Sequence, residues 1–177
     1  MYLLSAITNC DIKKLNMFKK ILLYLNILHK RIVSKKNYYS FSGVDVLIND
    51  IFKKQESGFY LDIGCQHPVK HNNTYKLHKK GWKGVNIDLD QDNIDLFNLS
   101  RPNDLNICRA VSSSSKEVEL FFYHKKSPIN TVEKKVSNFQ NAKVKEIKKI
   151  TTNTLNNIIE SSEFNNKKFD LMSVDVE

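Results

Sequence analysis

The stretch with most scope for chemistry is "FYLDIGCQHPVKHNNTYKLHKKGWKGVNIDLD", residues 59–90. Apolar residues lead into Asp62, Ile63 and Gly64, and Asp88 closes the next apolar run 24 residues after Gly64. A glycine directly after a strand lets the backbone approach a ligand with no Cβ in the way. An acid ending the following strand can accept both hydroxyls of a ribose, close to the spacing expected for that role. Asp62 and Gly64 thus mark a candidate cofactor loop, and Asp88 a candidate ribose ligand.

The same loop argues against a dinucleotide. A pyrophosphate cradle needs several glycines so that amides converge on two phosphates. Here a single glycine is followed by Cys65, Gln66, His67 and Pro68, and proline carries no N–H. The pattern suits a nucleoside without a diphosphate, of which S-adenosyl-L-methionine is the common example, and disfavours NAD. Asp175 ends a strongly apolar run, where an acid is costly unless solvated or partnered, so it points to a cleft. His67 and His71, beside the loop, are candidate bases for a substrate hydroxyl, with plain surface histidine as the competing reading. Cys65, His67 and His71 fit no zinc spacing and have no fourth ligand nearby, so no metal is expected.

Positioning these residues requires alternating strands and helices. Residues 59–63, 84–88 and 106–111 read as strands, with helices from Asn73 or Thr74 to a stop at Gly81, and over 91–99 with Asp90 as cap. Trp82 is expected to pack against the sheet. Crossovers of about ten residues imply right-handed βαβ units and a mostly parallel sheet, an α/β Rossmann-like, doubly wound fold. Residues 117–123 alternate like an antiparallel strand, 124–142 read as polar loop, and 144–150 alternate again. A helix over 154–162 and an apolar last strand over 169–176 complete the pattern.

Before this block, apolar residues at Leu15, Phe18, Leu22, Leu25, Leu28 and Ile32 mark an amphipathic helix, with Lys13, Lys19, Lys20, Lys30 and Arg31 on its polar side. A polar-aromatic connector (34–42) and a short helix (44–54) follow. The chain divides into an N-terminal helical extension, 1–57, and a domain over 58–177. The helix can pack on the domain or make weak peripheral contact with an anionic membrane through 13–32. Nothing in the N-terminal region approaches the ~20 apolar residues that span a bilayer.

The net charge is +9 over 177 residues, and residues 1–40 hold eight Lys/Arg against the single acid Asp11. No aromatic-rich basic motif accompanies the charge, so no nucleic-acid partner is expected. A non-catalytic basic domain binding RNA or another polyanion is the alternative. Cys10, Cys65 and Cys108 are widely spaced and odd in number, which fits reduced thiols in a cytoplasmic setting.

Taken in order, "YLDIGCQHPVKHNNTYKLHKKGWKGVNIDLD", "AVSSSSKEVELFFY", "SPINTV", "ITTNTLNNII" and "FDLMSVDVE" resemble FkbM-type methyltransferases of the class I S-adenosylmethionine-dependent fold. The resemblance runs from about Gly58 to Glu177 and does not include residues 1–57. It implies O-methylation of a hydroxyl on a sugar or natural-product-like acceptor. Carried over by position, it implies that Asp62, Gly64 and Cys65 form the first cofactor loop and that Asn72, Asn73 and Thr74 flank the methionine end. It likewise implies Asp88 on the ribose, Ala110, Val111 and Ser112 beside adenine, and Asp175 and Glu177 at the active-site floor. The family pattern continues past "DVE" with Gly, a helix and three strands. The chain is therefore expected to be the N-terminal part of a C-terminally incomplete domain, self-associating and without turnover alone.

Overall fold

The computed structural model describes residues 15–34, 37–122 and 144–176. Cys10, Lys13, the loop expected over 124–142 and Glu177 lie outside the described residues. The chain is α/β, built on a parallel four-stranded sheet. Strands β1 (Phe59–Ile63), β2 (Lys83–Asp88), β3 (Leu105–Cys108) and β7 (Leu171–Val174) pair in the order β3-β2-β1-β7. Successive strands run outward from β1 to β3, and the last strand returns to pair with the other side of β1.

The stretch expected as one strand over 106–111 divides. Its first half is β3, whereas β4 (Ala110–Val111) joins a separate three-stranded sheet, β4-β6-β5. The break falls at Arg109, whose N–H makes the last rung of the β2–β3 ladder, to the Asp88 carbonyl at 2.9 Å, before Ala110 pairs in the other sheet. Strands β5 (Glu117–Phe122) and β6 (Glu146–Asn153) pair antiparallel, as their alternation predicts.

Helix α1 (Met17–Val33) starts at Asn16, whose side chain accepts from the Lys19 N–H at 2.7 Å. Its Leu23 and Ile27 are buried with Val69, Tyr75 and Leu96, so the helix packs on the domain. Lys19 reaches Asp92 and Asp95 of α4 (Gln91–Ser100) at 2.9 and 2.8 Å, and these bonds raise its pKa to about 12. Asp90 caps α4 by accepting from the Asp92 N–H. Helix α2 (Val44–Ile51) is shorter than the expected 44–54.

Helix α3 (Tyr75–Lys79) is also shorter than predicted, because Asn72 and Thr74 turn their side chains inward to Asp62 instead of extending or capping it. Gly81, at φ +93°, ends the segment as expected. Trp82 is buried with Ile48, Tyr60 and Leu77. Helix α5 (Leu155–Glu160) covers the other face of the sheet through Ile158. Among the described residues no helix is long and apolar enough to cross a membrane.

Candidate functional site

Period-two alternation puts Leu61, Ile63, Val85, Ile87, Leu105 and Ile107 on one face of the sheet, packed against Ile158 and Phe164. The opposite face is polar. In register across four strands stand Ser173, Asp62, Asn86 and Asn106, all buried. Buried polar atoms require partners, and here they find one another. Asn86 Nδ2 donates to Asn106 Oδ1 at 2.8 Å and to Asp104 at 3.1 Å, and Asn106 Nδ2 donates to Asn98 at 3.0 Å.

Arg101, fully buried just after α4, ties this row together. Its guanidinium donates to Thr74 Oγ1 at 2.9 Å, Asn72 Oδ1 at 2.7 Å, Tyr60 Oη at 3.1 Å and the Pro68 carbonyl at 2.7 Å. The Phe97 ring lies 4.8 Å from its central carbon. Thr74 and Asn72 then donate to Asp62 Oδ2 at 2.8 and 3.1 Å. Burial raises the Asp62 pKa against the opposing pull of Arg101 and these hydrogen bonds. Burial likewise raises Asp104, which accepts from Tyr60 Oη.

The loop after β1 lies above this layer, at the carboxyl ends of the strands. Five of its amides are already engaged by protein acceptors. Gly64 and Cys65 N–H both donate to the Ile87 carbonyl, at 2.9 and 3.2 Å, and Gln66 N–H donates to Asp88 Oδ2 at 2.8 Å. Val69 and Lys70 N–H both donate to His67 Nδ1 at 3.0 Å. Such a loop offers no converging amides for a pyrophosphate. Asp88 also accepts from Asp90 N–H and Asn93 Nδ2, at 2.8 and 3.1 Å. Burial raises its pKa even so. A carboxylate has roughly four acceptor positions, so three bonds leave Asp88 capacity for one more.

Strand β7 closes the other side. Asp175 N–H donates to the Ile63 carbonyl at 2.9 Å, and its side chain is exposed. Gly64 sits at φ +76°, and a Cβ there would fall on the Asp175 carbonyl oxygen. Both facts require glycine at this position. Asn73 reaches across to Ser173 Oγ at 3.1 Å. Asp62, Gly64, Cys65, Asn72, Asn73, Thr74, Asp88 and Asp175 are thus brought to one end of one sheet.

The other candidates have partners of their own. His67 Nδ1 accepts two amides, so its proton is on Nε2, which donates to Asn26 of α1 at 2.9 Å. His71 is exposed, edge-on to Phe41 with ring centroids 5.3 Å apart. Partial burial, with Lys70 and Lys30 nearby, lowers its pKa. Ala110 and Val111 form β4 of the second sheet, and Ser112 follows it. Val111 packs toward the apolar core, and Ser112 N–H donates to the Asn153 carbonyl. Cys65 is buried beside Ile94 and Phe97, and burial raises its thiol pKa well above the ordinary range. A shallow depression lined by Asn37, Tyr39, Asn49, Lys76, Lys79 and Lys80 shares no residue with the loop.

Sequence reasoning missed Arg101, Tyr60, Asn86, Asn106 and Ser173. A signal for two of them was present: aligning "LDI", "VNI" and "LNI" puts Asn86 and Asn106 at the position of Asp62, each between apolar neighbours. No family model matches the chain, and no curated protein or solved structure shows significant similarity to it.

Proposed function

We propose that the chain is a Rossmann-like, S-adenosyl-L-methionine-dependent methyltransferase that modifies a hydroxyl on a sugar or natural-product-like acceptor in the cytoplasm. One observation carries the reading. At the point where the strand order reverses about β1, acids and a glycine gather around a loop whose amides are taken by Ile87, Asp88 and His67. Open α/β sheets bind ligands at such a point. A loop with five amides already taken suits a nucleoside lacking a diphosphate. Cys65, a buried thiol outside any disulfide, supports a reducing compartment.

In this reading Asp88 uses its remaining acceptor capacity on the ribose, and Gly64 lets the loop pack against the end of β7. Asn72 and Thr74 are committed to Asp62 and Arg101, so Asn73, with its one bond to Ser173, meets the amino-acid end. Ala110 and Ser112 flank adenine. When bound, S-adenosylmethionine supplies a sulfonium methyl that the acceptor oxygen takes as the C–O bond forms and the C–S bond breaks. Alignment of the acceptor by the protein supplies most of the rate. Asp175, exposed at the end of β7, accepts the hydroxyl proton, with Glu177 on the substrate side. His67 has both ring nitrogens engaged, whereas His71, kept neutral by its lowered pKa, is the second candidate base.

Calorimetric titration tests the proposal: S-adenosylmethionine and S-adenosylhomocysteine bind, and NAD does not. Binding of NAD, or of none of the three, overturns it. Binding to RNA that falls steeply with salt, in a chain indifferent to nucleosides, supports the polyanion alternative that the +9 charge suggests. Asp88→Asn is expected to weaken nucleoside binding by about 1.5–3 kcal/mol through loss of a charge-assisted bond.

A further inference from the structure

Helix α1 is apolar on the wrong side for a helix that only packs. Its buried contribution is Leu23 and Ile27, whereas Phe18 is 70% exposed, Ile32 55%, Leu25 52%, and Ile21 and Leu22 50% each. At ~100° per residue these five and Leu28 fall within an arc of about 120° on the outward face, interrupted only by His29. The charged residues lie toward the domain instead. Lys19 bonds Asp92 and Asp95, Arg31 contacts Ser100 at 3.4 Å, and Lys20 and Lys30 are half-buried. A continuous exposed apolar stripe of this kind marks a surface that meets something apolar.

We propose that α1 seats this stripe on the surface of an anionic lipid bilayer and lies in its plane. Charge selects the occupant. The helix carries four cations and no acid, Lys13, Lys14, Lys35 and Lys36 bracket it in sequence, and residues 1–40 hold eight Lys/Arg against Asp11. Apolar residues between basic ends match an interfacial helix, and anionic headgroups neutralise the charge. At 17 residues, about 25 Å, α1 is shorter than a bilayer core, in keeping with lying on the surface and not crossing it. The proposal is independent of methyl transfer.

Flotation with lipid vesicles tests it, because aggregated protein does not float. The full chain is expected to float with vesicles of phosphatidylcholine and phosphatidylserine at about 7:3. Binding is expected to fall at least about tenfold on pure phosphatidylcholine, and to weaken as salt rises. The double variant Leu22→Gln, Leu25→Gln changes only exposed side chains, so its circular dichroism and melting temperature stay at parental values while flotation falls at least about tenfold. Absence of flotation by the parent, or equal flotation by the folded double variant, overturns the proposal. So does a concentration-dependent dimer in sedimentation that the double variant abolishes while vesicles recover no protein, because the stripe is then a self-association surface.

Discussion

On the face that meets α5, the sheet presents Leu61, Ile63, Val85, Ile87, Leu105 and Ile107; on the other it presents Ser173, Asp62, Asn86 and Asn106. The first face is held by burial of apolar area, which has no direction and tolerates swaps that conserve volume. The second is held by directed bonds, and removing one member leaves its partners buried without an acceptor or donor. The candidate site lies at the end of the sheet, where the directed face holds the strands in register. Arg101 fixes Asn72 and Thr74, these fix Asp62, and the loop above inherits a defined position.

The sharpest way to break this contrast is Arg101→Met. It removes a buried guanidinium from the layer that contains Asp62 and Asp104, and is expected to cost about 3–5 kcal/mol by chemical denaturation. Arg101→Lys is expected to recover little, because an ammonium cannot replace a planar fork. A cost below about 1 kcal/mol would mean the row does not act as a network.

Gly64→Ala comes next. Backbone strain at positive φ contributes about 1–3 kcal/mol, and the overlap with the Asp175 carbonyl pushes β7 away from the loop. Denaturation and calorimetry with S-adenosylhomocysteine should show stability and binding falling together. Parental values in both measurements would show that loop and strand end are not in contact.

On the apolar face the expected effects are smaller. Ile107→Val removes one buried methylene and should cost about 0.5–1.5 kcal/mol with cofactor affinity unchanged. A larger cost than that of Arg101→Met would invert the contrast.

A further effect appears only on acidification. His78 Nδ1 stands 4.0 Å from Asp104, too far for a hydrogen bond, and the two do not form an ion pair. Burial, reinforced by Arg101 and Arg31, lowers His78 from 6.5 to about 4. Between those values the unfolded chain binds more protons than the folded one, so stability is lost as pH falls through the window. His78→Gln removes that contribution. The stability difference between parent and variant should therefore slope between pH 4 and 6.5 and flatten above. Parallel curves across the window would show that His78 titrates normally.

Much of the frame was legible because it rests on local chemistry. The run "FYLDI" sets β1, Asp90 caps α4, and Gly81 stops the α3 segment at positive φ. The residues collected at the strand ends were legible too, since Gly64 and Asp88 follow directly from the βαβ pattern. Arg101 was not. In "LSRPND" it reads as a solvated helix end, and arginine is almost never fully buried unless partnered. Its partners come from Tyr60, Pro68, Asn72, Thr74 and Asn86, which only the folded chain brings together. The split at Arg109 was hidden for a similar reason. "NICRAV" has strand composition throughout, and the ladder stops after Arg109 because β2 ends at Asp88.

The pairing of β1 with β7 bears on the order in which the molecule assembles. Gln66 and Asp88, which join the loop to β2, are 22 residues apart, whereas Phe59 N–H and Asp170 Oδ2 meet across 111 residues. By polymer statistics, closing the longer loop costs about 1.4 kcal/mol more than the shorter, roughly a tenfold smaller chance of encounter. The β1–β2 crossover therefore forms ahead of the long-range closure. During synthesis Asp88 and the Gly64 loop are in place well before Ser173 and Asp175 leave the ribosome. A ligand that needs both Asp88 and Asp175 can bind only after β7 has docked against β1.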